Sequence, residues 1–541
     1  MELLEVALEC ALAGRPAADA AIVVEDAHPR AVTYGELRRW IAALRPQLRA
    51  LGVRPGATLA FYTDRTPEAI AATLAAVLEG AVFCHHDTAY GLPQLERAVF
   101  DTRALALVVD AHGLQQLANA SRDPVALRSV YLATDPTPDG AAALPRLSLD
   151  APDASAGLTR RDAHTIAESA GTLCFTSGST GRPKCIHLPG HAYVANALSD
   201  AAVYGACASD RILHMLSIGH SYGLIQLFST LLNGGALHVW NGGVMSKREW
   251  LARVQAIVAG SRITGFHCGA SLFHTFADAA QGVLFPAPTS LRFVSLAGAP
   301  LPPAQVDRVA AVLGPQVALY KEYGQGEVSR LTVLHANAPE HHARRGGVGR
   351  AVPGNVVFAA ADRMTVAAPG EPGEMAIVSP TRSMVGYLGD DALTRERMGT
   401  HAAFPGATVI YTGDQGYVDA DGYVFLLGRR NAVFKRNWVL VYPEAVETDL
   451  AQHPEIVEAA VFGVEVRGAV QPGRIVAIVR TRTPVAVEAL AAWAREHVES
   501  SRVPDDLQRW DELPRTASGK LDRVEIRRRY LTGACPWDVV A

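Results

Sequence analysis

The stretch from Gly171 to Gly190 limits what this chain can fold into. Gly171-Thr172-Leu173-Cys174-Phe175 and Cys185-Ile186-His187-Leu188 are short apolar runs of strand character. Between them lies Thr176-Ser177-Gly178-Ser179-Thr180-Gly181-Arg182-Pro183-Lys184, with four hydroxyls, two glycines and two cations in nine residues. Glycine lets a backbone approach phosphate oxygens with its N–H groups turned inward, hydroxyls add donors, and Arg or Lys supplies charge. The segment reads as a strand–loop–strand grip for a polyphosphate. A Walker loop needs Gly-Lys-Ser/Thr in sequence and a helix that starts there. Here Lys184 runs into a strand that Pro189-Gly190 stops, which argues against a P-loop kinase or GTPase.

The rest of the chain supplies a framework for such a loop. Its 541 residues exceed one core, and roughly 150 residues per domain suggests about three or four units. An amphipathic helix opens the chain, with Glu2, Glu5 and Glu9 and no basic cluster, so it does not read as a signal peptide. Thr33 is a helix cap, and Leu37, Ile41, Leu44 and Leu48 share one face of the helix behind it. Strands are expected at 57–62, 80–84, 105–110 and 129–133, with an alanine-rich helix from Pro67 to Glu79. The alternation resumes from Ile212 through Phe293–Leu296 and Val317–Tyr320. It predicts parallel sheets covered by helices.

From about Gly346 helices give way to short strands with Gly and Pro turns, a small antiparallel β unit. An α+β pattern follows Gly428-Arg429-Arg430-Asn431, the expected domain boundary. Net charge is −4 with mixed signs, which suggests neither nucleic acid nor an anionic membrane as partner. No apolar run is long enough to span a bilayer. The 7 cysteines occur singly, and Cys10, Cys174, Cys207 and Cys268 have mainly apolar or small neighbours. Reduced, mostly buried thiols in a cytoplasmic protein are expected.

Six blocks in order resemble the adenylate-forming enzyme superfamily of acyl- and aryl-CoA ligases, adenylation domains and luciferases. They are Thr176–Lys184, Gly298-Ala299-Pro300-Leu301, Tyr323-Gly324-Gln325-Gly326-Glu327, Tyr411-Thr412-Gly413-Asp414, Gly428-Arg429 and Pro514-Arg515-Thr516-Ala517-Ser518-Gly519-Lys520. The resemblance implies a large ATP- and acid-binding domain over 1–428, whose part from about 346 to 428 is the β unit. A small α+β domain over 429–541 would swivel on it. ATP and magnesium are the implied cofactors.

In that family a carboxylate attacks the α-phosphorus of ATP, pyrophosphate leaves, and an acyl-AMP forms. Thr176, Ser177, Gly178, Ser179, Thr180, Gly181 and Lys184 would hold the β- and γ-phosphates, and Glu327 the magnesium. Tyr323 would stack on adenine, with Gly298, Ala299 and Pro300 on its other side and Gly324 and Gln325 following in the same block. Asp414 and Arg429 would bind the ribose hydroxyls. Lys520 would bridge the substrate carboxylate and the α-phosphate as charge shifts between them. The small domain would close to deliver it and then turn for the second half-reaction.

The chain departs from the family pattern at three places. Gly326 stands where Thr is usual, a change shared with aryl-acid-activating members. Asn431 replaces an acidic hinge residue and still tolerates unusual backbone angles. Trp438 stands where glycine lets a pantetheine arm pass, so it marks the acceptor channel. The acceptor is therefore CoA, a carrier-protein thiol or an amine, the last as in stand-alone amide-bond synthetases. A non-catalytic nucleotide-binding relative is a further alternative, against which Lys520, Glu327 and Asp414 speak. His220, Ser221 and Tyr222, with Gly298 and Gly324, are expected to line the acid pocket. With no Asp among them an α-amino acid is disfavoured; an aryl acid comes first and a medium acyl chain second. Two other motifs read as structural: Cys84-His85-His86-Asp87 at an expected turn, and the basic His341–Arg345 as a solvated loop.

Overall fold

The structure is a computed structural model that describes residues 4–25, 29–86, 95–96, 99–124, 126–132, 144–149, 171–176, 184–242, 246–269, 282–298, 301–436, 439–466, 473–516 and 520–533.

Local signals set the first elements. Helix Leu4–Gly14 buries Leu4, Leu8 and Leu12, one turn apart. Thr33 caps helix Tyr34–Ala50 in a capping box, exchanging bonds with Glu36. Thr66 caps helix Pro67–Leu78, whose first position is the proline. Every residue of that helix is buried, which explains its alanine-rich, apolar composition. A helix covered on all sides has no polar face.

Two large sheets carry the fold. One has the order Gly386–Tyr387, Lys184–Pro189, Gly171–Thr176, Val82–His86, Thr58–Tyr62, Ala106–Val109, Ser129–Leu132, Arg146–Leu147. The other runs Arg350–Ala351, Ser329–His335, Ala318–Gln325, Phe293–Ala297, Gly265–Gly269, Arg211–His214, Ala236–Val239, Ala20–Val24, Arg30–Thr33. Both are parallel in the middle, as strand–helix alternation requires; the second is antiparallel at both edges and the first at its Gly386–Tyr387 edge only, since Arg146–Leu147 pairs parallel. Helices Pro67–Leu78 and Ser221–Leu232 sit in one apolar core together with Phe61, Phe83 and Val108 of the first sheet and Ile22, Leu237 and Val239 of the second.

Arg45 and Glu79 are buried in this region, with side chains 5% and 0% exposed, and pair at 2.7 Å. Arg45 also donates to Leu78 O. Removing one member of a buried pair strands the other charge. Glu79→Ala is expected to destabilise the large domain by about 3–5 kcal/mol, read as a lower urea midpoint at unchanged slope. A loss below about 1 kcal/mol would show that Glu9, 3.8 Å from Arg45, holds its charge in place of Glu79.

The antiparallel β unit is Val356–Ala360, Gly373–Val378, Val409–Val418 and Met398–Gly399, with Val424–Arg429 on the long strand. It is not helix-free: Asp391–Arg397 forms a short helix, capped by Asp390 onto Leu393 N. After the 3-10 turn Arg430–Ala432, strands Ile456–Glu465, Gly473–Thr481 and Asp506–Arg509 make a small sheet. Its two faces pack separate apolar clusters under helices Pro443–Leu450, Val487–His497 and Arg523–Gly533. Gln305 of the preceding domain donates to Val457 O at 3.2 Å and Arg308 to Pro454 O at 3.4 Å, which ties this unit to helix Pro303–Leu313.

Three local expectations need correction. The strand at Val82 continues through His86 instead of turning at Cys84. His85 bonds Thr73 Oγ1 at 2.8 Å and stacks on Phe61, so it is a core histidine. His341–Arg345 is not a solvated loop. Arg344 pairs with Asp419 and Asp421 and lies over Tyr423, and Arg345 pairs with Asp307. Cys10 and Cys207 are exposed, whereas Cys84, Cys174, Cys185 and Cys268 are buried.

Candidate active site

Strands Gly171–Thr176 and Lys184–Pro189 pair antiparallel, and Thr176 and Lys184 form the last register pair. That geometry returns the chain after seven residues and places Lys184 at the loop's exit. Ser177, Gly178, Ser179, Thr180 and Gly181 lie outside the described residues. Lys184 Nζ is 5.8 Å from the centroid of the Tyr387 ring, and Tyr387 OH donates to Glu327 Oε1 at 2.6 Å. Lys184 and Glu327, separated by more than a hundred positions, thus meet around one tyrosine. Tyr387 was not singled out in the sequence. It arrives because Gly386–Tyr387 pairs with His187 and Ile186 at the edge of the same sheet. Burial, then the Glu327 charge, raises its pKa, so it remains a donor.

Asp414 collects the ribose-binding candidates. Its Oδ2 accepts from Tyr323 OH and from Gln325 Nε2, each at 2.6 Å, and its Oδ1 from Arg429 Nε at 2.9 Å. The strands bring Asp414 opposite Arg429 in register. Gly413 before it has φ +72°, a left-handed turn that glycine adopts without strain. Burial raises the Asp414 pKa, and Arg429 offsets part of that. Oδ2 already has two donors, so it is Oδ1, with one, that keeps an acceptor site for a further donor.

Lys520 reaches this region from the far end of the chain. Thr516 N donates to Lys520 O at 2.8 Å and Arg515 bridges Leu521, closing the loop that presents it. A Cβ built on Gly298 would lie 3.6 Å from Lys520 Cε and 3.8 Å from Nζ. Gly298 has φ +90°, so glycine serves both the turn and the lysine's approach. Lys520 keeps exposed surface, yet the surrounding protein, then the Arg429 charge, lowers its pKa. Ala299, Pro300 and Trp438 lie outside the described residues, as does the side chain of Asn431. Leu301 O, just after them, accepts from buried Lys321 Nζ at 2.9 Å, which also bonds Arg345 O at 2.8 Å. Burial brings the Lys321 pKa down to about 7.

His220 precedes helix Ser221–Leu232 without capping it, and Ser221 and Tyr222 form its first turn. A side chain at Gly223 would collide with Ser217 O, so glycine is required where the turn folds back. Gly324 likewise lies against Ser329 O. Behind Tyr222 is a cluster of buried ions that sequence reading missed. Glu322 Oε1 accepts from Ser295, from Tyr204 at 2.8 Å, from His267 Nδ1 at 3.1 Å and from Tyr222 at 3.3 Å. Its Oε2 accepts from Arg330 Nε at 2.7 Å, and Arg330 also pairs with Asp200. Burial favours neutral Glu322, but the Arg330 charge and then the His267 hydrogen bond reverse this and hold its pKa well below the carboxylate range. The available signal was alternation: on one strand Tyr323 and Glu322 face opposite sides.

The donor set suits magnesium. Glu327 is a single carboxylate with one oxygen held by Tyr387, and among the described residues no group of three or more ligating side chains could form a protein cage. Magnesium favours such sites, with one carboxylate plus phosphates and water.

The chain's similarities agree with this geometry. The model for "AMP-binding enzyme" matches residues 9–388, and that for "AMP-binding enzyme C-terminal domain" matches 445–520. A feruloyl-CoA synthase of Amycolatopsis sp is 27% identical over 503 residues, 92% of this chain and 94% of that protein. A 2-succinylbenzoate–CoA ligase of Bacillus licheniformis is 30% identical over 366 residues, 66% of this chain and 70% of that protein. In fold, the chain is similar to amide bond synthetase McbA from Marinactinospora thermotolerans, with TM-score 0.80 and 24% identity over 97% of this chain and 99% of that one. The anthranilate CoA ligase AuaEII, solved with anthranoyl-AMP, gives TM-score 0.80 and 24% identity over 99% and 98%. Among the described residues no helix is long and apolar enough to cross a membrane.

Proposed function

Because the chain belongs to the AMP-binding enzyme family, and is an adenylate-forming ligase, we propose that it activates an aryl carboxylic acid as its acyl-AMP and passes the acyl group to a thiol. One observation carries this reading: Lys520 comes from the last turns of the small domain to Gly298, near Arg429 and its partner Asp414. That convergence suits the first half-reaction. The acid's carboxylate oxygen bonds to the α-phosphorus as the bond to pyrophosphate breaks. The negative charge shifts toward the leaving group, and a fixed ammonium stabilises it best when water is scarce.

Asp414 and Arg429 would hold the ribose, Tyr323 the adenine, and Lys184 with the preceding loop the outer phosphates. Glu327 would hold magnesium, which neutralises phosphate charge. In the second step a thiolate attacks the acyl carbonyl and AMP leaves with its electron pair. The names of the CoA-ligase relatives support CoA as the thiol. We place the boundary at residues 428–429 and the swivel at Asn431, where the 3-10 turn separates the β unit from the small sheet.

Pyrophosphate exchange across aryl, acyl and amino acids, followed by product analysis with CoA, carrier protein and amines, tests both steps. Exchange with aryl acids and a thioester product are expected. Exchange without any thioester, but with amide, would replace the thiol by an amine, the outcome that Trp438 in the acceptor segment keeps in view. Binding of ATP without exchange for any acid would refute the reading.

A further inference from the structure

The ions behind Tyr222 do more than hold a helix to a sheet. We propose that they make the acid pocket select an aryl acid whose ring carries a hydrogen-bond donor, a hydroxyl or an amino group. The inference rests on the placement of Tyr222 in the acid pocket of an adenylating enzyme.

An ionised carboxylate only accepts. Glu322 is ionised and buried, with its side chain 2% exposed and Arg330 on its other oxygen. The hydroxyls that converge on its Oε1 are placed to donate to it: Ser295, Tyr204 at 2.8 Å and, at the longest distance, Tyr222 at 3.3 Å. His267 Nδ1 must carry a proton too, since it faces the same oxygen. Tyr222 is the half-buried member of this set. Its ring meets the His267 ring edge-on with centroids 6.0 Å apart. Once its proton is committed to Glu322, the Tyr222 oxygen has only lone pairs to offer. A ring substituent that donates a hydrogen bond is matched there, and one that only accepts meets lone pairs against lone pairs. Asp200 and Glu322 outnumber Arg330, so a second carboxylate on the ring is also poorly matched. Such mismatches discriminate more strongly than a missing methylene does.

The test is acid-dependent pyrophosphate exchange with benzoate, the three hydroxybenzoates, the three aminobenzoates, the three methoxybenzoates and phthalate. For wild type, one hydroxy or amino isomer is expected to exceed its methoxy counterpart and benzoate by at least about tenfold in kcat/KM, the worth of one hydrogen bond. Phthalate is expected to be the poorest. Tyr222→Phe removes the oxygen and should reduce that preference to within about threefold, through KM more than kcat. Glu322→Gln frees the Tyr222 proton and should move the preference toward the methoxy acid. If Glu322→Gln fails to fold, the wild-type panel and Tyr222→Phe still decide. Equal use of hydroxy, methoxy and unsubstituted acids overturns the inference, as does a donor preference that survives Tyr222→Phe. Exchange with aliphatic acids alone overturns it while leaving adenylation intact. Exchange with no acid removes the proposed function and this inference together.

Discussion

Lys520→Ala is expected to lower the rate of adenylate formation by about 10²–10³-fold, the usual effect of deleting one fixed group that meets developing charge, while thiol attack on preformed adenylate should fall far less. The asymmetry follows from geometry. Lys520 stands over Gly298 in the present arrangement, held by its own loop through the Thr516–Lys520 bond. The swivel proposed at the 3-10 turn of residues 430–432 would let it leave for the second step. Single-turnover measurements of pyrophosphate release, beside conversion of synthetic acyl-AMP, separate the halves. Equal loss in both would mean that Lys520 supports the fold of the small domain instead of the transition state.

The pH profile adds a second reading. Lys520 has a lowered pKa, so its charge disappears as pH rises through a value below the ordinary lysine range. Adenylation should fall along that alkaline limb, and Lys520→Arg, always protonated, should remove it. Buried Lys321 also titrates early, at about 7. A limb that persists in Lys520→Arg belongs to Lys321 and its hold on Leu301.

The contrast between these two lysines indicates what sequence can and cannot convey. Lys520 was singled out through the resemblance of Pro514–Lys520 to a family block, with Gly519 before it, and its role is a proposal. Caps and periodicity were legible for a local reason, as Thr33 and Glu36 are neighbours that complete each other. The phosphate hairpin was readable as strand, loop, strand. The meeting of Lys184 with Glu327 around Tyr387 was not, since it depends on a two-residue edge strand that pairs across two hundred positions. Glu322 was hidden in another way. Beside a Tyr-Gly block it reads as one more polar residue, and only the fold reveals that Asp200, Tyr204, His267, Ser295 and Arg330 converge on its side of the strand. Contacts made within a few residues are written in composition and spacing. Those made by stacking strands and helices from distant segments are written in register, which composition does not carry.

Arg330→Met is expected to cost about 3–5 kcal/mol of stability at pH 7.5, because it leaves two carboxylates buried without their common cation. Arg330 is 2% exposed, bonds Glu322 through Nε and pairs with Asp200. The loss should depend on pH with a definite sign. In wild type the Glu322 pKa is depressed, so its contribution is complete above the ordinary carboxylate range and fades only as pH falls through the lower folded value. For Asp200 burial already outweighs Arg330 and raises the pKa. Without the guanidinium both folded pKa values rise above those of the unfolded chain. The variant then binds protons on folding and gains stability as pH falls. Its deficit against wild type should therefore shrink between pH 7.5 and pH 5, read from urea midpoints at both. The same midpoints in Tyr222→Phe, which leaves the Arg330 pairs in place, should move by less than about 1.5 kcal/mol, one neutral hydrogen bond. A deficit that stays constant with pH would mean that Arg330 acts through packing, and that the carboxylates around it are neutral in the folded protein.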